Sequence, residues 1–236
     1  MTMPFYVSPE QLIKDRADFA QKGIGRGRSV IVLTCSEGIL FATHNPSRAL
    51  HKVSEIYDRI AFAAVGKFNE FEALRVAGIR YADLRGYSYD RSDVSARGLA
   101  NAYAQTLGTA FTTESKPLEV ELAVAEIGDE QKDDQIYRIS FDGSVSEVHG
   151  VSVMGASAEL IRGALDKSWS TAMNADDALR VAYRALHEAA VKSETAAAIE
   201  LADLEVALLD RTRPQRRKFR RFSTVEITER VGESSA

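Results

Sequence analysis

The chain has 236 residues, of which 45% are hydrophobic and 27% are charged, and its formal net charge is -4. This composition predicts one large globular domain, and the small negative charge gives no whole-chain reason to expect nucleic acid or a membrane surface as a partner. The sequence has neither the basic and apolar regions of a secretion signal at its start nor an apolar run approaching the roughly 20 residues of a spanning helix, so we expect a cytoplasmic protein.

The first predicted element is an amphipathic helix over residues 9–22. In "YVSPEQLIKDRADFAQKGIG", Ser8 can cap the helix, Pro9 suits its first position, and Gln11 follows the cap by three residues as in a capping box. Gly23 can end the helix in a left-handed conformation. We therefore expect a leader helix, preceded by a short separate segment over residues 1–8.

Strands and helices then follow in runs. Three strands are predicted by "SVIVLTC", "ILFAT" and "IAFAAVG", and a helix pair by the apolar spacing over 67–84 and 92–111. Further strands are predicted by "LEVELAVAEI", "DQIYRISF" and "SVSEVHGVSVMG". Two helices around Ile161 and Leu179 and a last strand, "DLEVALLD", complete the order.

This order favours an α+β fold over a strictly alternating βαβ fold. Two sheets sandwiched between two helix pairs would cover every apolar face. We expect one domain over residues 9–211. Residues 212–236, with "RPQRRKFRR" and then "GESSA", are predicted to form a basic and then flexible tail.

Local motifs give weak signals for chemistry. The glycine-rich "GIGRGR" follows a helix and opens a strand, the reverse of a phosphate-binding loop, so a flexible linker is the favoured interpretation. Cys35 is the only cysteine, and a small buried hydrophobe is favoured over a thiolate nucleophile paired with His44. No Cys/His cluster has the spacing of a zinc site, so we expect no metal and no cofactor.

The basic run over 213–221 carries interleaved aromatic residues and could contact phosphates and stack on bases. A solvated segment or a protein-contact strand is the more usual role of such a run. Because the chain has no second basic cluster, we expect no nucleic-acid binding.

Long segments carry the strongest signal, and they extend in order over nearly the whole chain. They are "FYVSPEQLIKDRADFAQKGI", "NPSRALHKVSEIYDRIAFAAVGKFNEFEALR", "GYSYDRSDVSARGLANAYAQTLGTAFT" and "LEVALLDRTRPQRRKFRR". In these segments the chain resembles the α-type proteasome subunits of actinobacteria. The resemblance implies the four-layer αββα sandwich of the N-terminal-nucleophile hydrolases, with an extra N-terminal helix.

The same resemblance implies that the chain is not catalytic. In catalytic β-type subunits the first strand begins with a threonine that attacks through its hydroxyl and uses its free α-amine, aided by a carboxylate on the second strand and by a lysine. Here Arg28 occupies the nucleophile position and His44 the carboxylate position, and Lys52 alone matches. The alternative is a self-processing N-terminal-nucleophile amidohydrolase in which cleavage after Arg28 exposes Ser29.

The resemblance also implies a function for the leader and for Lys52. The family forms homo-heptameric outer rings that stack on β-type subunits, restrict entry of tagged proteins and dock a ring-shaped AAA ATPase through its C-termini. A lysine between adjacent subunits pairs with the terminal carboxylate, which predicts an activator pocket at Lys52, with Gly66 and Lys67 beside it; a surface lysine on a loop is the alternative. The implied gate residues are Thr2, Met3, Pro4, Phe5, Tyr6, Val7, Ser8 and Pro9.

Overall fold

The computed structural model describes residues 8–47, 49–193 and 199–232. Its helices are α1 (Pro9–Ile24), α2 (Phe68–Ser88), α3 (Ala96–Thr113), α4 (Ala158–Ser168), α5 (Ala175–Lys192) and α6 (Thr224–Gly232). Its strands are β1 (Val30–Cys35), β2 (Gly38–His44), β3 (Val53–Tyr57), β4 (Ile60–Gly66), β5 (Val120–Glu126), β6 (Gln135–Ile139), β7 (Val145–Glu147), β8 (Val151–Met154), β9 (Leu204–Asp210) and β10 (Phe219–Arg221). None of these helices is long and apolar enough to cross a membrane.

The strands form two five-stranded antiparallel sheets. One has the order β10-β9-β2-β1-β8 and the other β3-β4-β5-β6-β7. In the first sheet β1 and β2 form a hairpin in which Val30 lies opposite Thr43 and Cys35 opposite Gly38. The start of β1 and the end of β2 therefore lie side by side at the same end of this sheet.

Alternate residues of each central strand pack into different layers. In β1, Val30 and Val32 pack against the other sheet, whereas Ile31 and Leu33 pack against α4 and α5. The second sheet is covered on its outer face by α2 and α3. Because both faces are covered, these strands read as continuous apolar runs. The predicted four-layer αββα sandwich is confirmed.

Helix α1 lies outside the four layers, against β4 and β5. Ser8 Oγ accepts a hydrogen bond from the amide of Gln11 at 3.2 Å and so caps the helix as expected. The helix continues past residue 22 and ends at Gly25, whose backbone is right-handed, so the prediction of a left-handed stop at Gly23 is wrong. Gly23 instead packs within the helix against the Glu119 side chain, where a Cβ atom would clash.

Up to Gly232 the C-terminal segment is part of the fold, whereas residues 212–236 were expected to form a basic and then flexible tail; residues 233–236 lie outside the described residues. Strand β10 pairs with β9, and α6 packs against α5. Phe222 and Ile227 are 5% and 1% exposed, which gives this segment a share of the core. These apolar residues are few and stand among charged and polar residues, so the mean polarity of the sequence conceals them.

Candidate functional site

The nucleophile position that the sequence analysis expects lies at the head of β1. Arg28, which the sequence analysis assigned to that position, is exposed, and Ser29 after it is buried. Ser29 Oγ accepts a hydrogen bond from the Ser157 amide at 3.2 Å, and the Ser29 carbonyl accepts one from Thr43 Oγ1 at 2.7 Å. Within the described residues, no basic side chain hydrogen-bonds to the Ser29 hydroxyl. This serine is therefore held as a buried structural residue.

Lys52 reaches the same point from the segment before β3. Its Nζ donates to the Arg28 carbonyl oxygen at 2.6 Å, and its own carbonyl accepts from the Ala64 amide at 3.0 Å. Burial, assisted by the positive charge of Arg28, lowers the pKa of Lys52 to about 8, while the carboxylate of Glu205 opposes the shift. The ammonium thus bonds to the peptide that precedes Ser29 and activates no hydroxyl.

His44, at the end of β2, lies beside this lysine. Its Nε2 is 3.9 Å from Asp203 Oδ2. Burial lowers the pKa of His44, Arg28 and Lys52 lower it further, and Asp203 opposes them. The structure therefore brings Arg28, His44 and Lys52 together, as the sequence analysis expected. They form a group of N–H donors that carries the positive charges of Arg28 and Lys52, which suits binding of an anion better than activation of a nucleophile.

Gly66 lies next to Gly27, which immediately precedes Arg28 in the chain. A Cβ atom on Gly27 would lie 2.6 Å from Val65 Cγ1 and 3.1 Å from the Gly66 nitrogen, so the two backbones are in close contact. Gly66 has φ +117°, and a Cβ there would lie 1.9 Å from the Glu119 carbonyl oxygen. Only glycine fits this turn between β4 and α2. Lys67 is exposed, and its backbone bonds to Glu119 and to the first turn of α2, not to Lys52.

The expected gate lies at the other end of α1. Ser8 and Pro9 stand a whole helix away from Gly25, a distance of about 24 Å at 1.5 Å per residue. The other gate positions, residues 2–7, lie outside the described residues. Helix α1 thus lies between the expected gate residues and the group formed by Arg28, His44 and Lys52.

Glu205 is the site residue that sequence reasoning missed. It is only 7% exposed, and it accepts hydrogen bonds from the amides of Lys52 at 3.0 Å and Val53 at 3.2 Å. The available signal was a carboxylate within the apolar run "LEVALL", because a buried carboxylate requires partners.

Cys35 has a structural role. Cys35 lies at the turn of the β1–β2 hairpin, where it pairs with Gly38, and His44 lies at the far end of β2. Burial raises the pKa of Cys35 to about 11, which supports its interpretation as a neutral packing residue. Within the described ranges, no group of three or more His, Cys, Asp or Glu residues could hold a metal ion.

The basic run binds acidic side chains of its own chain. Arg217 donates hydrogen bonds to the Glu55 carboxylate from both Nε and Nη2, and the shortest of these bonds is 2.6 Å. Arg220 forms an ion pair with Glu226, and Arg221 forms one with Glu205. These arginines are thus engaged in ion pairs within the fold.

Comparison with known proteins agrees with this geometry. The family model described as "Proteasome subunit" matches residues 24–204. A "Proteasome subunit alpha" of Xylanimonas cellulosilytica is 65% identical over 233 residues, covering 97% of this chain and 95% of the relative. The proteins of that name in Sanguibacter keddieii and Thermomonospora curvata are 66% identical (94% of this chain, 87% of the relative) and 57% identical (100% of both). The chain therefore belongs to the proteasome subunit family, as an alpha subunit of the actinobacterial kind.

Proposed function

We propose that this alpha subunit is a non-catalytic component of the 20S core that forms heptameric outer rings in the cytoplasm. Each ring stacks on β-type subunits that carry the threonine active sites. Residues 1–8 and Pro9 gate the axial channel, and a ring-shaped AAA ATPase docks on the outer face and delivers tagged proteins. Family membership supports the assembly, and the site geometry supports the absence of catalysis.

One observation carries the non-catalytic assignment: Ser29 is only 7% exposed, and its hydroxyl accepts a hydrogen bond from the Ser157 amide, while Lys52 Nζ donates to the Arg28 carbonyl oxygen and not to that hydroxyl. An N-terminal nucleophile needs a free α-amine, which Ser29 lacks as long as the leader is attached. The alternative, a self-processing hydrolase, requires cleavage after Arg28. Intact-mass measurement on the purified chain tests it: we expect no species that begins at Ser29, and a mature species of that mass would overturn the proposal.

The docking role of Lys52 rests on its charge and position. Its ammonium is partly buried beside Arg28 and His44, so a terminal carboxylate bound there would meet several donors in a setting of reduced dielectric. Gly66 keeps the backbone close on one side of this group. These features fit capture of a chain terminus between two copies of the subunit.

The test uses the assembled particle from coexpression with the β-type partner. A synthetic peptide with the ATPase's C-terminal sequence is titrated while hydrolysis of a fluorogenic peptide is followed. For Lys52→Ala we expect roughly a tenfold or greater rise in the peptide concentration for half-maximal stimulation, because a charge-assisted hydrogen bond contributes about 1.5–3 kcal/mol.

Two controls accompany this titration. The same peptide with an amidated C-terminus should stimulate weakly, and Lys132→Ala, at a lysine whose side chain is 73% exposed, should behave as wild type. Unchanged stimulation of the Lys52→Ala particle would contradict the docking role.

A further inference from the structure

Glu205 is a buried charged residue at the end of the first sheet where β1 begins and β2 ends. It belongs to β9, lies opposite Thr43 of β2 and is 7% exposed. Removing a carboxylate from water is costly unless hydrogen bonds compensate it, so its partners indicate why the fold retains it.

Most of its partners belong to the segment that leads to Lys52. Oε2 accepts from the Lys52 amide at 3.0 Å and from Asn45 Nδ2 at 2.7 Å, while Oε1 accepts from the Val53 amide at 3.2 Å. Asn45 Nδ2 also donates to the Leu50 carbonyl at 2.6 Å. One carboxylate therefore fixes both ends of the connection between β2 and β3, and with it the main chain of Lys52.

Arg221 of β10, the strand next to β9, also binds this carboxylate. Its Nη1 donates to Glu205 Oε1 and its Nη2 to the Val53 carbonyl oxygen, so one guanidinium spans the carboxylate and the strand that follows Lys52. His51 Nδ1 lies 3.4 Å from Oε1 on the solvent side. The C-terminal strand is thus bonded directly to the segment that carries the docking lysine.

We infer that Glu205 is the positioning residue of Lys52, and that Arg221 clamps Glu205, so that the C-terminal strand sets the geometry of the activator-docking lysine. This inference rests on the proposed function, in which Lys52 receives the terminal carboxylate of an activator. Glu205 itself does not touch the activator; it acts through Lys52.

The charges around Lys52 determine the pH at which its ammonium loses its proton. Arg28 faces the ammonium from the head of β1 and His44 from the end of β2, whereas Glu205 faces it from β9 and is the charge that opposes the fall of the Lys52 pKa. The ammonium is present below about pH 8 and is lost as the pH rises through that value. Without the carboxylate, the pKa of Lys52 falls further and the charge is lost at lower pH. The groups bonded or paired to these residues are Arg221, His51 and Asp203.

The first experiment measures Lys52 directly, without an activator. Assembled particles are pulse-labelled with acetic anhydride across a pH series, and acetylation of Lys52 is quantified by mass spectrometry. We expect the labelling midpoint in Glu205→Gln to shift to lower pH than in wild type. Glu229→Gln makes the same charge change on the exposed face of α6 and should leave the midpoint in place. An unshifted midpoint in Glu205→Gln would overturn the inference.

The second experiment follows stimulation by the C-terminal ATPase peptide against pH. Wild-type stimulation should fall as the pH rises through about 8, and the Glu205→Gln profile should fall at lower pH. Adding Lys52→Arg, whose guanidinium stays charged, should restore stimulation at alkaline pH; failure of this rescue would contradict the electrostatic role. Should Glu205→Gln not assemble, Arg221→Lys, which keeps the charge but cannot span both acceptors, should shift the labelling midpoint in the same direction.

The two proposals fail in different ways. If Lys52→Ala leaves stimulation unchanged, docking at Lys52 is wrong, while acetylation still reports whether Glu205 controls the lysine. If Lys52→Ala abolishes stimulation but Glu205→Gln matches wild type in both experiments, only the positioning role is overturned.

Discussion

The ion pair between Arg211 and Asp134 joins the end of β9 to the start of β6. Two parallel hydrogen bonds connect the side chains, at 2.9 and 2.8 Å, and the side chains are 16% and 2% exposed. Asp134 Oδ1 also accepts from the Gly128 amide at 3.0 Å. Removing one partner leaves the other as an uncompensated buried charge, so we expect Asp134→Asn to lower the free energy of unfolding by about 3–5 kcal/mol.

Urea unfolding of the isolated chain, followed by circular dichroism, measures this loss. Asp129→Asn is the matched control, because Asp129 pairs with Arg59 but its side chain is 90% exposed. We expect little change there, since solvent screens exposed pairs. Equal midpoints for the two variants would show that burial does not set the strength of the Arg211 pair.

At the scale of elements, substitutions in α6 test whether the C-terminal segment packs on the core. Ile227 is 1% exposed within the cluster under α5, whereas Val225, two residues earlier, is 66% exposed. We expect Ile227→Asp to destabilise the chain by about 3 kcal/mol or more, because it removes a core side chain and buries a charge. Val225→Asp should change stability by no more than about 0.5 kcal/mol. Thermal unfolding compares them, and two equally mild variants would mean that α6 does not pack on the core.

The elements that the sequence predicts well are those with unambiguous local patterns. Strand β1 is buried on both faces and reads as an unbroken apolar run, and the start of α1 is marked by Ser8 and Pro9. Strand β3, the three-residue β10 and the helix α6 were missed, because each is short and carries few apolar residues among polar and charged ones. Such elements are stabilised by neighbours distant in sequence, which no local window contains.

The candidate site shows the same division. Arg28, His44 and Lys52 were found through family resemblance, which carries tertiary information that periodicity lacks. Glu205 was not found, because its partners, the amides of Lys52 and Val53, lie about 150 residues earlier and become neighbours only when β9 pairs with β2. The role of this carboxylate is a property of the sheet topology, and the strand sequence alone does not contain it.

At the scale of the whole molecule, the leader helix connects the proposed gate to the sandwich. Arg16 donates to the carbonyls of Phe111 and Glu114 at the end of α3, and Gly23 packs against Glu119. The helix is therefore fixed to the body at two points, and Pro9 starts it at a defined place. In the proposed ring, the gate segment would therefore begin at the same place in every copy.

Deleting residues 2–7 tests this arrangement, and it retains the Ser8 cap that stabilises the start of α1. We expect the assembled particle to hydrolyse a fluorogenic peptide several-fold faster than wild type without any activator, because the barrier is entry and not chemistry. The activator peptide should then add little, and Lys52→Ala in the same background should have almost no effect, since docking no longer has a gate to open. An unchanged basal rate in a correctly assembled particle would show that this segment does not gate, whereas a fast basal rate that still depends on Lys52 would mean that the activator acts on more than entry.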